Sequence, residues 1–205
     1  YEIIYVDDGS TDGSLKILED IKSGDSKVSL ICFSCNCGQT SALDAGLRQA
    51  KGEYILTIDA DLQYDANNLA DIFKELQHND VVIGYRTNRL EVDGFVKFLS
   101  SRVANFVRNK VLNEDFKDAG CFLRGYRRKC IRDLILYKGF LVFIISLLNM
   151  QGYKIKQIGV KVYPRRYGKS KYNIRNRLFK ELFALLVVKW MKNNKLAYKV
   201  LPPIS

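Results

Sequence analysis

The chain has 205 residues, 47% of them hydrophobic and 12% aromatic, a composition that excludes a disordered chain and predicts one folded domain over residues 1–205. The net charge of +11 is unevenly distributed, because residues 1–80 hold 15 acidic and 6 basic side chains whereas residues 81–205 hold 7 and 27. A basic half of this kind fits binding to nucleic acid, to an anionic membrane surface or to substrate phosphates.

Strands and helices alternate in the first part of the chain. Apolar runs predict four strands, and periodic apolar positions predict a helix after each of the first three; the strands lie at residues 1–6, 28–33, 54–58 and 81–85. Such alternation is typical of parallel β-α-β units, so we predict an α/β, Rossmann-like, mostly parallel sheet flanked by helices. Because the first strand begins at residue 1 without an initiator methionine, we expect an amino-terminal strand and helix to be missing.

Amphipathic and apolar segments dominate the remainder. Residues 92–113 carry apolar and basic side chains at helical spacing, which fits either a helix packed on the sheet or a helix that contacts a membrane. Residues 118–124 predict a turn into a strand, and residues 127–136 a short helix. The segment 139–150 is apolar on nearly all sides and belongs either to the core or to an interface.

The carboxyl-terminal part predicts a strand, a loop and a helix. The strand covers residues 154–162, and the polar loop after it, residues 164–172, is rich in basic residues. A final helix from residue 173 to about residue 191 has one broad apolar side, formed by Ile174, Leu178, Phe179, Leu182, Phe183, Leu185 and Leu186. The longest apolar stretches fall short of the ~20 residues that a helix needs to span a bilayer, so no transmembrane span is predicted.

Cysteine and histidine content limits the chemistry. The odd number of cysteines has no disulfide-framework spacing and predicts reduced thiols in a cytosolic protein; they are Cys32, Cys35, Cys37, Cys121 and Cys130. The first three lack a fourth ligand for zinc, so no zinc site is predicted. The single histidine, His78, lies at a predicted helix end and nearly excludes histidine-based catalysis.

Two carboxylates follow the third predicted strand. Asp59 and Asp61 share one side of an extended chain, and Gln63 joins them if the chain stays extended. Open α/β sheets bind their ligands beyond the carboxyl ends of the strands. Such oxygen ligands suit Mg²⁺ or Mn²⁺, which keeps part of its coordination for phosphate oxygens. The alternative is that this D-x-D sequence only caps the next helix.

Five separate motifs occur in order along the chain: Val6 to Asp12 (VDDGSTD), Asn36 to Gln39 (NCGQ), Asp59 to Gln63 (DADLQ), Asp118 to Arg128, and Arg166 to Tyr172 (RYGKSKY). Together they resemble the family 2 inverting glycosyltransferases, which have the GT-A fold. Within that family they are similar to the polyprenyl-phosphate branch, which includes dolichol-phosphate mannose synthases and undecaprenyl-phosphate sugar transferases. The resemblance covers nearly the whole chain, and the last two motifs are those that indicate this branch.

The resemblance implies a nucleotide-sugar donor, a polyprenyl phosphate acceptor and Mg²⁺ or Mn²⁺ as cofactor. The implied donor-binding residues are Asp7, Asp8, Gly38 and Asp59. The implied metal ligands are Asp59, Asp61 and Gln63, and the implied catalytic residues are Asp61, Asp118 and Arg86. The residues implied to bind the acceptor or the phosphates are Arg86, Lys97, Ser101, Arg166, Ser170 and Lys171. Cys35 and Cys37 depart from the family, which commonly has a basic residue and an aromatic residue there.

The resemblance also implies different roles for the two halves of the chain and a cellular location. Residues 1–85 would form the nucleotide-sugar half and residues 86–205 the acceptor and membrane-facing half, in peripheral contact with anionic lipid at the cytoplasmic face. One alternative is a glycosyltransferase that acts on a saccharide hydroxyl in cell-surface polysaccharide synthesis, and another is a nucleotidyltransferase. A nucleic-acid-binding module would interleave aromatic and basic residues on strands. We predict no nucleic acid partner, because the basic residues lie on predicted helices and in one loop.

Overall fold

The computed structural model describes residues 1–164 and the backbone of residues 174–196, with side chains from residue 180 onward in the second range. Three residues predicted to bind phosphate, Arg166, Ser170 and Lys171, lie outside the described residues. Within the described ranges, the strands are β1 (Ile3–Asp7), β2 (Val28–Cys32), β3 (Tyr54–Thr57), β4 (Val81–Arg86), β5 (Arg124–Arg127) and β6 (Ile155–Val160). The helices are α1 (Ser14–Gly24), α2 (Gln39–Gln49), α3 (Asn67–Leu76), α4 (Arg89–Asp93), α5 (Phe95–Leu112), α6 (Arg128–Ile131), α7 (Ile144–Met150) and α8 (Ile174–Asn193), with a 3-10 turn at Leu141–Phe143.

The strands form two sheets. Strands β1 and β2 pair in parallel, and the second sheet has the order β3-β5-β4-β6. Strand β4 pairs in parallel with β6, whereas β5 runs antiparallel to both β3 and β4. Strands β3, β4 and β6 therefore run in the same direction, and their carboxyl ends share one edge. This confirms the predicted α/β fold, with a parallel-rich sheet flanked by helices.

The antiparallel direction of β5 was not predicted. Its first residue, Arg124, lies opposite Thr57 near the end of β3 and opposite Ile83 of β4. The chain enters β5 from the edge where β4 ends, since the Gly84 N–H donates to the Leu123 carbonyl. A strand parallel to β4 would have to start at the opposite edge of the sheet, where β4 begins. The helices between β4 and β5 do not return the chain to that edge, so β5 runs antiparallel to β4.

The core lies on both faces of β4. Val81 and Ile83 face one cluster that includes apolar residues of α7, whereas Val82 faces Ile72 and Leu76 of α3. Successive side chains of a strand point to opposite faces, so a strand covered on both sides reads as a continuous apolar run. The cluster around Val81 and Ile83 combines residues from both halves of the chain.

The apolar segment 139–150 is core. Phe143, Ile144, Ile145 and Leu148 are buried, the last three beside Val81 and Ile83 in one cluster and Phe143 against α8 in another. Of the two alternatives, core or interface, the core one is confirmed for this segment. Its apolar character on nearly all sides reflects packing against both the sheet and a second helix.

The predicted basic helix is two helices that meet at a glycine. Gly94, between α4 and α5, has φ +76° and ψ 165°, a conformation open essentially only to glycine. The single helix predicted over residues 92–113 is therefore wrong at its start. The helix predicted over residues 127–136 is also shorter, because α6 ends at Ile131 and the Leu134 N–H closes a tight turn onto the Ile131 carbonyl.

Helix α8 buries only part of its predicted apolar side. Leu185 of that side is buried with Ala184 and Val188 in a cluster with Leu112 of α5, whereas Leu182, Phe183 and Leu186 of the same side are exposed. The small Ala184 side chain allows close approach of the two helices, and helical periodicity then turns the larger side chains outward.

Candidate active site

Asp8 ties the loop after β1 to the loop after β2. Its carboxylate accepts hydrogen bonds from the Cys37 N–H at 2.7 Å, the Gly38 N–H at 3.0 Å and the Asn36 side-chain amide at 2.9 Å. The neighbouring Asp7 is buried, and its carboxylate accepts the Ser10 N–H at 3.0 Å. A carboxylate has about four lone-pair sites, so Asp8 uses most of its capacity to hold this loop in place.

Gln39 connects that loop to the D-x-D segment. It is the first residue of α2, and its side-chain amide donates to Asp59 Oδ1 at 2.9 Å. The preceding Gly38 has φ +93°, which lets the chain turn sharply into the helix. Asp8, Gly38, Gln39 and Asp59 therefore form one connected set beyond the carboxyl ends of β1, β2 and β3.

The D-x-D segment is a loop. Strand β3 ends before Asp59, and the chain turns at Leu62, which has φ +58°. The Gln63 N–H donates to Asp61 Oδ1 at 3.2 Å, and its side-chain amide donates to the Tyr163 carbonyl at 3.2 Å. The extended chain on which the Gln63 prediction depended is thus absent at this point. Gln63 ties the loop to the backbone after β6, and its role as a metal ligand stays a prediction.

A buried ion-pair network lies beyond the end of β4. Arg86 makes a two-point contact with Asp118, with Nε to Oδ2 at 2.7 Å and Nη2 to Oδ1 at 2.9 Å. Arg89 reaches the same carboxylate at 3.3 Å, pairs with Asp93 at 2.8 Å and donates to the Ser101 hydroxyl. The structure therefore brings together three of the predicted site residues, Arg86, Asp118 and Ser101.

The network fixes the charge of its members. Burial alone would raise the pKa of Asp118, but the hydrogen bonds and charge of Arg86, helped by Arg89, hold that pKa below its usual range. Burial alone would lower the pKa of Arg86, and the Asp118 carboxylate raises it instead. Asp118 is therefore ionised at neutral pH and does not hold a proton for a general-acid step.

Tyr64 links the D-x-D loop to this network. Burial raises the pKa of its hydroxyl above the usual range, the neighbouring Cys121 and Asp59 add to the rise, and Arg86 opposes it. The residue also forms an isolated antiparallel bridge with Val162. A neutral hydroxyl therefore interacts electrostatically with both the acidic loop and the ion-pair network.

Sequence reasoning missed roles for Gln39, Tyr64 and Arg89. Gln39 stood within a recognised motif, and Arg89 is a second arginine three residues after Arg86, so each carried a weak signal. Tyr64 carried none, because its place depends on the turn at Leu62. Lys97 is exposed one helical turn before Ser101, and its contact with an acceptor stays a prediction.

The carboxylate ligands available on the D-x-D loop fit a hard divalent cation. Among the described residues no group of three or more His, Cys, Asp or Glu side chains could hold a metal ion. The predicted carboxylate ligands are Asp59 and Asp61, two acids on one loop. Mg²⁺ is commonly bound by one or two carboxylates together with substrate phosphates and water. Two half-buried acids on a loop fit that mode, and they do not fit a metal cage built from protein ligands alone.

Helices α5 and α8 present large apolar side chains to solvent. The exposed fractions are 76% for Val96, 70% for Phe106, 68% for Phe183 and 66% for Trp190. Further exposed apolar residues on these helices are Phe95, Leu99, Val103, Val107, Leu182 and Leu186. Among residues 1–164 and 174–196, no helix has the length and hydropathy that crossing a bilayer requires.

Curated proteins with known names match this chain over most of its length. An undecaprenyl-phosphate 4-deoxy-4-formamido-L-arabinose transferase of Proteus mirabilis is 35% identical over 174 residues, 84% of this chain and 53% of that protein. The Pseudomonas fluorescens protein of the same name is 35% identical over 188 residues, 91% of this chain and 54% of that protein. The chain thus spans about half the length of the curated relatives that it matches.

Solved structures with low sequence identity share the fold. A mannosyltransferase of Pyrobaculum calidifontis in complex with GDP-Man and Mn²⁺ has a TM-score of 0.61 and 20% identity, covering 96% of this chain and 56% of that one. Glucosyl-3-phosphoglycerate synthase of Mycobacterium tuberculosis with Mg²⁺ and UDP has a TM-score of 0.63 and 16% identity, covering 92% and 67%. Residues 1–135 match the family described as Glycosyl transferase family 2. The chain belongs to this glycosyltransferase family.

Proposed function

We propose that the chain is the catalytic domain of an inverting glycosyltransferase that moves a sugar from a nucleotide diphosphate to a polyprenyl phosphate at the cytoplasmic face of a membrane. The observation that carries the proposal is the pairing of an acidic loop with a buried ion-pair network that holds two arginines at one edge of the sheet. The loop holds Asp59 and Asp61, the network holds Arg86 and Asp118, and Tyr64 is electrostatically coupled to both parts. The names of the relatives support a polyprenyl phosphate acceptor.

The acidic loop is suited to the donor. Asp59 and Asp61 would hold Mg²⁺ or Mn²⁺, and the bound ion would neutralise charge that develops on the leaving diphosphate. Gln39 fixes the orientation of the Asp59 carboxylate through its hydrogen bond at 2.9 Å. Asp8 holds the Gly38 turn, whose backbone begins helix α2, so the loop is preorganised before a nucleotide binds.

The arginines of the ion-pair network are suited to orient an anionic acceptor. A phosphate oxygen already carries negative charge and needs little help from a general base, which fits a site without histidine. Asp118 holds the Arg86 and Arg89 side chains in fixed orientations. Attack of the acceptor from the face opposite the leaving group would invert the anomeric centre.

The exposed apolar surface of α5 and α8 is the proposed contact with an anionic bilayer. Apolar patches of this kind on a folded domain mark interaction sites, and α5 intersperses exposed Lys97, Arg102 and Lys110 among its apolar residues. Basic residues near an anionic leaflet each contribute about 1 kcal/mol. A lipid-linked acceptor would be held in that bilayer, next to the helix that carries Lys97 and Ser101.

The donor half of the proposal is tested by transfer assays on the purified chain. A panel of UDP-, GDP- and dTDP-sugars is supplied with undecaprenyl phosphate in detergent, with Mg²⁺, Mn²⁺ or EDTA. We expect one donor to be used, and we expect Asp61→Ala to lose transfer while its circular dichroism and melting temperature stay unchanged. The matched control is Asp71→Ala, an exposed acid on α3. Full activity of Asp61→Ala in the presence of EDTA would contradict the metal site.

The acceptor half is tested by competition. We expect transfer to undecaprenyl phosphate and none to neutral saccharides supplied at the same concentration. A chain that glycosylates a saccharide hydroxyl readily, and never polyprenyl phosphate, would overturn the acceptor assignment. It would favour the alternative role in polysaccharide synthesis and leave the donor site intact.

A further inference from the structure

Two exposed thiols lie close together in the loop between β2 and α2. The sulfur atoms of Cys35 and Cys37 are 3.9 Å apart, and both side chains are exposed, whereas Cys121 and Cys130 are buried. A disulfide bond is about 2.05 Å long. The two sulfur atoms therefore need to approach each other by only about 2 Å, within a loop that solvent reaches.

The same loop holds the donor-side carboxylate. The Cys37 and Gly38 N–H groups and the Asn36 side chain donate to Asp8. The backbone of the loop also packs closely against Gly9, the residue after Asp8, where a Cβ atom would lie 2.4 Å from the Cys35 carbonyl carbon. The loop is thus held by Gly9 at residue 35 and by Asp8 at residues 36 to 38, so an adjustment between residues 35 and 37 acts on contacts with this turn.

We propose that Cys35 and Cys37 form an oxidisable dithiol site whose reactant is a small-molecule disulfide such as glutathione disulfide, and that oxidation weakens the hold of this loop on Asp8. The thiolate of one cysteine attacks the reagent, its sulfur–sulfur bond breaks, and one thiol leaves. The second cysteine thiolate then attacks the mixed disulfide and releases the other thiol. Two electrons pass from the protein to the reagent, and the two cysteine protons end on the released thiols.

The consequence for the loop follows from its length. A bond between Cys35 and Cys37 closes a ring of three residues and restricts the backbone angles of Cys35, Asn36 and Cys37. Two of these residues supply donors to Asp8, so the restricted loop loses part of that hydrogen bonding. Exposed, constrained disulfides are also the ones that reduce readily, which makes the site reversible.

The first test follows the bond itself. Reduced protein is incubated with glutathione disulfide, its free thiols are alkylated, and its peptides are mapped by mass spectrometry. We expect a bond between Cys35 and Cys37 in the wild type and in the control Cys32→Ser, and a stable glutathione adduct on Cys37 in Cys35→Ser. Stable adducts on both cysteines of the wild type, or a bond from Cys32 to Cys35, would overturn the proposal.

The second test follows the loop without reference to activity. We expect oxidation to increase hydrogen exchange at the Cys37 and Gly38 amides, and dithiothreitol to reverse the increase. Unchanged exchange in a protein whose bond has formed would contradict the proposed effect on Asp8. In Cys35→Ser, the same oxidant should leave exchange at the Gly38 amide near its reduced value.

The effect on ligand binding rests on the proposed function. UDP, GDP and dTDP serve as probes in calorimetry on the reduced and oxidised protein. We expect the nucleotide that binds to lose about tenfold or more in affinity on oxidation, with recovery after reduction. Reduced protein that binds none of the three would contradict the proposed function, whereas equal affinity of the two forms would contradict the dithiol inference.

Discussion

The buried carboxylate of Asp118 offers the sharpest test of the site. Its side chain is 7% exposed and that of Arg86 17% exposed, and two short hydrogen bonds join them. Replacing Asp118 with alanine leaves a buried guanidinium without its main partner and removes a contact of Arg89. Breaking a buried pair on one side typically costs about 3–5 kcal/mol, so we expect a loss of this size in the free energy of unfolding.

The assay is denaturation in urea, followed by circular dichroism, with an exposed ion pair as control. Asp44 pairs with Arg48 at 2.8 Å, but these side chains are 32% and 62% exposed. Exposed helical pairs contribute about 0.3–0.5 kcal/mol, so Asp44→Ala should shift the midpoint only slightly. Equal destabilisation by Asp44→Ala and Asp118→Ala would refute the reasoning that burial makes the Arg86 pair important.

The same carboxylate predicts a pH dependence. Because the pKa of Asp118 is lowered in the folded protein, its contribution is fully present above the unfolded value and is lost as pH falls through the folded value. We expect the stability difference between wild type and Asp118→Asn to stay constant from neutral pH down to about pH 4 and to shrink below it. A difference that already shrinks between about pH 7 and pH 5 would contradict the lowered pKa.

Three further substitutions test other parts of the molecule. Gly9→Ala should lower the free energy of unfolding by about 1–3 kcal/mol or more, because φ is +68° and the added Cβ meets the backbone of the neighbouring loop. The control Gly13→Ala places its Cβ in open space, so its melting temperature should stay close to that of the wild type. Lys97→Ala should raise the Michaelis constant for polyprenyl phosphate roughly ten- to a hundredfold and leave donor affinity unchanged, since a charge-assisted hydrogen bond is lost. Phe106→Asp should weaken flotation with anionic liposomes about tenfold or more, and salt should weaken it further. The control Ile17→Asp replaces an exposed apolar residue on α1 and should float with the liposomes as the wild type does. An equal loss of flotation in both variants would contradict the proposal that α5 contacts the membrane.

Local signals explain what the sequence predicted well. The run from Val81 to Tyr85 is strand because a continuous apolar segment must be covered on both faces, and α3 and α7 cover it. The position of Asp59 after β3 was predictable for the same reason, since the preceding apolar run defines the strand. These features depend on a few adjacent residues, and no distant contact overrides them.

Features that depend on distant contacts were not predictable. The direction of β5 follows from where residues 118–123 attach to the end of β4, and the outward face of α8 follows from its contact with Leu112. The missed role of Tyr64 depends on the turn at Leu62, a residue that rarely adopts positive φ. Periodicity indicates that a helix is amphipathic, but when both faces carry apolar residues it does not decide which one is buried.

The charges of the network bear on how an acceptor phosphate would be bound. Arg86 and Arg89 carry two positive charges, and the Asp118 and Asp93 carboxylates that contact them carry two negative charges. This set of four is therefore neutral, and its arginines are better suited to orient a phosphate than to supply net charge. The attraction for an anionic acceptor must then come from cations outside the set. Lys97, exposed one turn before Ser101, is such a cation, which is why its substitution should affect acceptor binding more cleanly than substitution of Arg86, where lost stability would add to the effect.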